Sequence, residues 1–254
     1  LQRQLGGAAQ EAVSGADAVR LEPALAGSAD PIAGAIYTPT ECAADCKKVC
    51  DALARLLQDH GARLLVGPAV TGLEVRGERL APVQTDAGPV AADAFVLSLG
   101  AGSAPLARRV GVYLPLYPLK GYSITAPIAH DDCAPRVNIT DSLRKMVFAR
   151  IGQRLRVAGM AELVGHDASI PPDRIDSLAQ ATERLFPGSI DRSRLDPWTG
   201  MRPATPRGEP LVGVAPRGPR NLVCNTGHGA LGFTLAFGTG QQVVESVDQL
   251  GGGA

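Results

Sequence analysis

Asn225-Thr226-Gly227-His228-Gly229-Ala230-Leu231-Gly232-Phe233-Thr234 follows an apolar run, Asn221-Leu222-Val223-Cys224, and opens a helix-patterned segment that reaches about Leu250. The order is therefore strand, glycine turn, helix. Amides at a helix N-terminus have no intrahelical acceptor, and glycines keep side chains away from them. Such a turn suits an anion or an electron-rich oxygen. Glycines at 227, 229, 232, 238 and 240 exceed what a structural turn requires, so something flat or large is expected against this backbone. Residues 227–232 literally fit G-x-G-x-x-G. A dinucleotide domain, however, needs a second strand and an acidic residue about 20 positions further on. The residues that follow are expected to be a helix and a glycine tail, so a separate dinucleotide domain is not expected here.

Upstream of this turn the same layer is foreshadowed. Gly34–Thr38 is expected to be a short strand. Thr40 with Glu41 is expected to cap a helix whose Val49, Leu53, Leu56 and Leu57 recur at helical spacing until Gly61 stops it. Strands are predicted at Arg63–Val66 and Ala69–Val75, and a hairpin over Pro82–Val90. Ala94–Leu99 reads as a strand covered on both faces, turned by Gly100-Ala101-Gly102-Ser103 into a short helix. Between these halves, residues 116–124, 145–150 and 154–159 alternate like half-exposed strands of an antiparallel meander. A helix is predicted from Asp173 to Phe186 with Ile175, Leu178, Ala179, Thr182 and Leu185 on one face. The chain is thus a mixed α/β protein, an α/β layer interrupted by an antiparallel insert.

Composition excludes several function classes. The 25 Lys+Arg balance 25 Asp+Glu, for a formal net charge of zero, which argues against a nucleic-acid binder or a polybasic membrane-surface protein. With 45% hydrophobic residues the chain can bury a core, and no stretch is apolar for long enough to form a transmembrane segment. Five cysteines do not make a disulfide framework and no signal peptide is expected, so a cytoplasmic setting is expected. Cys42, Cys46 and Cys50 fall at helical spacing. Successive thiols on one helix drift apart by about 6 Å per turn, so small core-facing residues are expected there, not a metal site. Cys224 is expected to be a packing residue.

The closing glycine turn resembles the C-terminal flavin motif of D-amino-acid dehydrogenases, members of the FAD-dependent family that also holds glycine, sarcosine and D-amino-acid oxidases. Gly200-Met201-Arg202-Pro203-Ala204-Thr205-Pro206 through Gly213 resembles the family's Arg-Pro segment, Pro118–Ser123 its substrate-domain strand, and Val96–Ser103 its strand and turn close to FAD. The resemblance covers residues 20–250. It implies a partial FAD-binding Rossmann-like domain over 32–110 and 205–254, and an antiparallel-sheet substrate domain over 1–31 and 111–204. It also exposes an absence. Nothing before Gly34 supplies a strand, a glycine-rich turn and a helix in that order. The chain is expected to correspond to roughly the C-terminal 60% of such an enzyme, completed by a missing N-terminal segment or a partner subunit.

The resemblance further implies oxidative deamination of D-amino acids to 2-oxo acids and ammonia, with electrons leaving to a respiratory acceptor other than oxygen. The location would be cytoplasmic or peripheral to the inner membrane. A glycine- or sarcosine-type amine oxidase, or a non-catalytic fragment or subunit, is the alternative. By motif match Arg202 holds the substrate carboxylate. Tyr122 holds the carboxylate or closes the pocket, and reads about equally well as a half-buried strand tyrosine. Val70 is the adenine-side strand, and Gly100 and Gly102 let backbone pass the ribityl and phosphate groups. Gly227, His228, Gly229, Leu231, Gly232 and Thr234 form the flavin-ring turn, although His228 also reads as a turn histidine satisfied by backbone contacts.

Overall fold

The computed structural model describes residues 9–215 and 217–251. In chain order the elements are β1 (Glu11–Ser14), α1 (Gly15–Leu21), β2 (Gly34–Tyr37), α2 (Cys46–Asp59), β3 (Val70–Gly72), β4 (Val75–Arg76), β5 (Arg79–Leu80), β6 (Val83–Thr85), β7 (Gly88–Val90), β8 (Phe95–Leu97), α3 (Ser103–Arg108), β9 (Tyr117–Pro127), β10 (Ile139–Asp141), β11 (Met146–Ile151), β12 (Arg154–Glu162), α4 (Pro172–Leu185), β13 (Asp196–Ala204), β14 (Leu211–Val214), β15 (Leu222–Thr226) and α5 (Gly232–Gly251). The mixed α/β class read from the sequence holds. The chain divides into two compact units. One comprises Leu1–Val49, Gly121–Glu162 and Ala168–Gly200, the other Cys50–Lys120, Leu163–Asp167 and Met201–Ala254. Residues 32–49 thus group with the first unit.

The first unit is built on an antiparallel sheet of order β10-β11-β12-β9-β13. The β11–β12 pairing, Val147 opposite Ala158 through Ile151 opposite Arg154, is the meander expected from the alternation. One face buries Ile124 and Ala126 of β9, Phe148 of β11 and Leu155 and Val157 of β12 against Leu178, Ala179 and Leu185 of α4. Phe148 meets Phe186 edge-on, centroids 5.3 Å apart, a geometry that adds about 1 kcal/mol beyond area burial. β9 is not half-exposed as expected. Lying between β12 and β13, it buries Pro118 and every residue from Lys120 to Ala126. Glu22, also buried, caps the 3-10 turn after α1 by accepting from Ala24 N, and holds Arg136 N (2.6 Å) and Val137 N (2.9 Å) with its other oxygen. Backbone donors thus compensate a carboxylate that would otherwise be costly to bury.

The second unit carries a sheet of order β14-β15-β8, in which β15 runs parallel to β8 with Cys224 beside Leu97. Leu97, Leu222 and Cys224 join Leu80, Ala107, Val112 and Leu114 in its core, and α5 packs on β14 and β15. Asn221 acts as a stretch of borrowed backbone. Its side chain accepts from Leu80 N (2.6 Å) and donates to Leu80 O (3.2 Å).

Several expectations need correction here. The cap of α2 is Asp45, whose carboxylate accepts from Lys48 N at the third helical position, and not Thr40. Gly61 does stop the helix, at φ +86 with Ala62 N bonded to Leu57 O. Arg63–Val66 is not a strand. It finds no ladder partner among the described residues, and Val66 is 90% exposed. Ala69–Val75 splits into β3 and β4. β8 is covered on one face only, Leu97 being buried while Val96 is 46% exposed. Cys42, Cys46 and Cys50 are exposed and do not face a core, since α2 buries none of its residues.

Candidate functional site

In the second unit the carboxyl ends of parallel strands β8 and β15 each run into a glycine turn, the place where an open α/β sheet receives ligands. The turn after β8 is a 3-10 helix, Gly100–Gly102, leading into α3. The turn after β15 is Gly227-His228 and a 3-10 helix, Gly229–Leu231, leading into α5. Thr226 Oγ1 donates to Gly100 O at 3.0 Å and ties the two turns together. Ser103 Oγ accepts from Leu99 N and fixes the first.

The glycines there are not equivalent. Gly227 has φ +83, and a Cβ would come within 2.8 Å of Thr205 Cγ2, so both conformation and packing require glycine. Gly229 has φ +55 and nothing within 4 Å of a Cβ, so its backbone lies bare to open space. Gly100, at φ +54, brings its missing Cβ to 4.0 Å from Pro203 Cγ. The segment that follows Arg202 on β13 therefore lies beside both turns. Gly102 has an ordinary helical backbone and only Leu99 nearby, so nothing there demands glycine.

Polar groups complete this corner. Asn225 Oδ1, near the end of β15, is buried with no hydrogen-bond partner. Arg202 is half-buried, and burial pulls its guanidinium below the usual range without depriving it of its charge. His228 is satisfied, though not by the backbone as expected. Its Nε2 lies 3.1 Å from Thr239 Oγ1, which also lies 3.1 Å from Leu235 O. Burial lowers the His228 pKa, which favours the neutral ring. Leu231 and Thr234 are exposed at the start of α5. Val70 stands apart, on an edge of the separate β3-β6-β7 sheet.

The first unit places Tyr122 on β9, 1% exposed and hence not half-buried, with its hydroxyl 2.6 Å from Glu162 Oε2. Glu162 Oε1 in turn meets Arg174 Nε at 2.6 Å, and Arg174 Nη1 meets Asp173 at 2.8 Å. Trp198 lies across Gly200, where a Cβ would sit 2.1 Å from the indole, and Arg156 stacks over the ring at 5.5 Å. In the second unit Lys120, 1% exposed, pairs with Asp167 at 3.4 Å. The sequence reading missed Glu162, Arg174 and Lys120. Lys120 alone had a signal, a charge inside an otherwise apolar strand. A shallow depression of about 530 Å³ beside Pro127–His130 and Gly188–Arg194 contains none of the predicted residues.

A model of the DAO family, FAD dependent oxidoreductases, matches residues 1–246. A D-amino acid dehydrogenase of Rhizorhabdus wittichii is 41% identical over 237 residues, covering 93% of this chain and 56% of the relative. D-amino acid dehydrogenase 2 of Ralstonia nicotianae is 46% identical over 242 residues, covering 92% and 56%. Among solved structures, glycine oxidase of Geobacillus kaustophilus superposes with a TM-score of 0.86 at 25% identity, covering 98% of this chain and 65% of that one. The chain spans little more than half the length of the curated relatives it matches.

Proposed function

Because the chain belongs to the DAO family of FAD-dependent oxidoreductases, we propose that it forms the substrate-binding and flavin-ring portion of a D-amino-acid dehydrogenase. The reaction converts a D-amino acid and water to a 2-oxo acid and ammonia, and two electrons pass to an acceptor other than oxygen. The observation that carries this reading is the pair of tied, bare turns at the ends of β8 and β15, with an orphaned Asn225 oxygen beside them. Such a cradle fits a large, flat, polar cofactor. When bound, FAD supplies the hydride-accepting chemistry that amino-acid side chains lack.

This chain's own residues do the rest. The bare Gly229 backbone and the N-terminal end of α5 offer positive charge to an anionic group, while Leu231 N is bonded to His228 O. Gly100 and Gly102 let backbone run against the cofactor, and Val70 would border its adenine end. Arg202 binds the substrate carboxylate with a planar fork that an ammonium cannot reproduce. Half-buried, it does so with less competition from water.

Residues outside these 254 complete the flavin site in this reading. Its support is the relatives' greater length, the place of β8 at the end of its sheet among the described residues, and the exposed Leu53, Leu56 and Leu57 of α2. Free thiols at all five cysteines support a reducing cytoplasmic setting, with the electron acceptor reached at the inner membrane surface.

The test is D-alanine oxidation by the protein bearing the remaining length of its relatives. Reduction of a dye without oxygen uptake is expected, and a colourless, inert protein contradicts the proposal. The likeness to glycine oxidase favours a second reading, an amine oxidase, which oxygen uptake with glycine or sarcosine would reveal. The dehydrogenase relatives are the more similar in sequence, at 41–46% against 25% identity.

A further inference from the structure

Among the described residues of the first unit four arginines are half-buried: Arg144, Arg150, Arg156 and Arg174. Arg144 meets Asp30 and Asp141, Arg150 meets Asp131, and Arg174 meets Glu162 and Asp173. Arg156 alone meets no carboxylate among the described residues. A guanidinium keeps its charge, and a charge drawn out of water without a counter-ion is costly. What Arg156 has is a platform. Its Cζ lies 5.5 Å from the centroid of the Trp198 ring, and its Nη1 donates to Thr125 Oγ1 at 3.3 Å. The ring occupies one flat face of the guanidinium, and Thr125 takes one of its five N–H groups. Nε and Nη2, whose N–H bonds run parallel along the other edge, make no bond among the described residues. That edge is the one that grips a carboxylate by two parallel bonds. We propose that Arg156, held by Trp198 and Thr125 as positioning residues, is a binding site for the carboxylate of a small organic acid, in addition to the carboxylate assigned to Arg202. One cation with one free edge matches a planar group of single charge, whereas a phosphate dianion would leave a charge unmet.

The five-stranded sheet explains where these residues stand. Leu155 and Val157 of β12 turn into the core with α4, so Arg156 and Ala158 turn to the opposite face. On β9, Ile124 and Ala126 enter the same core, which sends Ser123 and Thr125 to that opposite face. β11 sets Ala149 directly across from Arg156 and Val147 across from Ala158. Asp196 shares the parity of Trp198 on β13 but makes no ion pair with Arg156. Trp198 is held flat by Gly200, two positions along the strand. A Cβ there would stand 2.1 Å from the indole, so a bare backbone is what lets the ring lie down. Ala149, Ala158 and Gly200 carry at most a methyl group and leave room around the stack. Trp198 remains 54% exposed, so a solute reaches it from water. This face also holds the Ser123 hydroxyl, buried without a hydrogen-bond partner. Every residue of the arrangement belongs to the first unit.

The test follows the Trp198 indole N–H signal in proton–nitrogen correlation spectra of the full-length, flavin-loaded protein. Trp198→Phe identifies that signal by its loss. Acetate is the probe, and chloride at equal ionic strength is the control. Acetate is expected to shift the signal to saturation, and chloride to leave it in place. Arg156→Lys keeps the charge but lacks the planar edge, so acetate should bind about tenfold more weakly or worse. Gly200→Ala leaves every charge in place and pushes the indole off the strand. It should weaken acetate by a similar factor while the circular dichroism stays that of the unsubstituted protein; where this variant fails to fold, Arg156→Lys decides. Arg202→Lys should leave the saturation midpoint within about twofold. No saturation with acetate, an equal response to chloride, or an unchanged midpoint in Arg156→Lys overturns the site. Loss of the response in Arg202→Lys also overturns it, because the signal would then report the carboxylate already assigned to that residue.

Discussion

Thr226 gives its hydroxyl proton to the carbonyl of Gly100 across 3.0 Å, joining residues 126 positions apart at the ends of two parallel strands. Neither residue is remarkable in composition, yet the bond holds two glycine turns side by side. Thr226→Val keeps the β-branched shape and leaves the Gly100 carbonyl without this donor. A loss of about 1–3 kcal/mol in urea unfolding is expected, with weaker FAD binding by fluorescence titration. An unchanged FAD affinity would detach the tie from the cofactor.

The glycines of the second turn should separate conformation from space. Gly227→Ala meets both a positive φ and Thr205 Cγ2 at 2.8 Å, so it is expected to unfold the second unit readily. Gly229→Ala meets only the backbone penalty of about 1–2 kcal/mol, because nothing lies near its Cβ. It should remain folded by circular dichroism and lose FAD affinity, since the new methyl enters the cradle.

Asn221→Asp tests the borrowed-backbone clamp. Aspartate accepts from Leu80 N but cannot donate to Leu80 O, and it faces that carbonyl with a second acceptor. Destabilisation of about 1–3 kcal/mol is expected in thermal or urea melts, without a change in substrate preference.

Acid should loosen the first unit through three carboxylates. Asp30 is held below the usual range first by its hydrogen bond from Arg184, reinforced by Arg144, and Asp131 by Arg150. For Asp141 burial is the largest influence and raises the pKa, but the combined Arg144 contacts outweigh it and the net shift is downward. Depressed folded pKa values mean that the stabilisation is whole above the unfolded value of 3.8 and drains away as pH falls through the folded ones. The urea midpoint should hold steady above about pH 5 and fall below it, and Asp30→Asn should flatten that fall.

Local pattern explains what was legible in the sequence. α4, the β6–β7 and β11–β12 hairpins and the β15-turn-α5 junction each announce themselves within a dozen residues, through periodicity, turn chemistry or glycine spacing. What escaped depends on partners far along the chain. Asp45 outcompetes Thr40 as a cap because it stands next to the first helical residue. Arg63–Val66 has strand composition but no ladder, and composition alone cannot supply one. β9 looks half-polar because Lys120 and Tyr122 are buried with carboxylate partners about 40 residues away. Glu162 was unreadable for a related reason. Its direction is set by a left-handed residue that no alternation rule anticipates.

The most direct measurement is the apparent affinity for D-alanine, from anaerobic flavin reduction, in the full-length protein carrying Arg202→Lys. Lysine keeps the charge but loses the two-pronged fork, worth about 2–3 kcal/mol, so affinity should fall roughly 30- to 150-fold while FAD stays bound. An affinity equal to that of the unsubstituted protein would mean that Arg202 does not meet the substrate, and the site would have to be sought elsewhere.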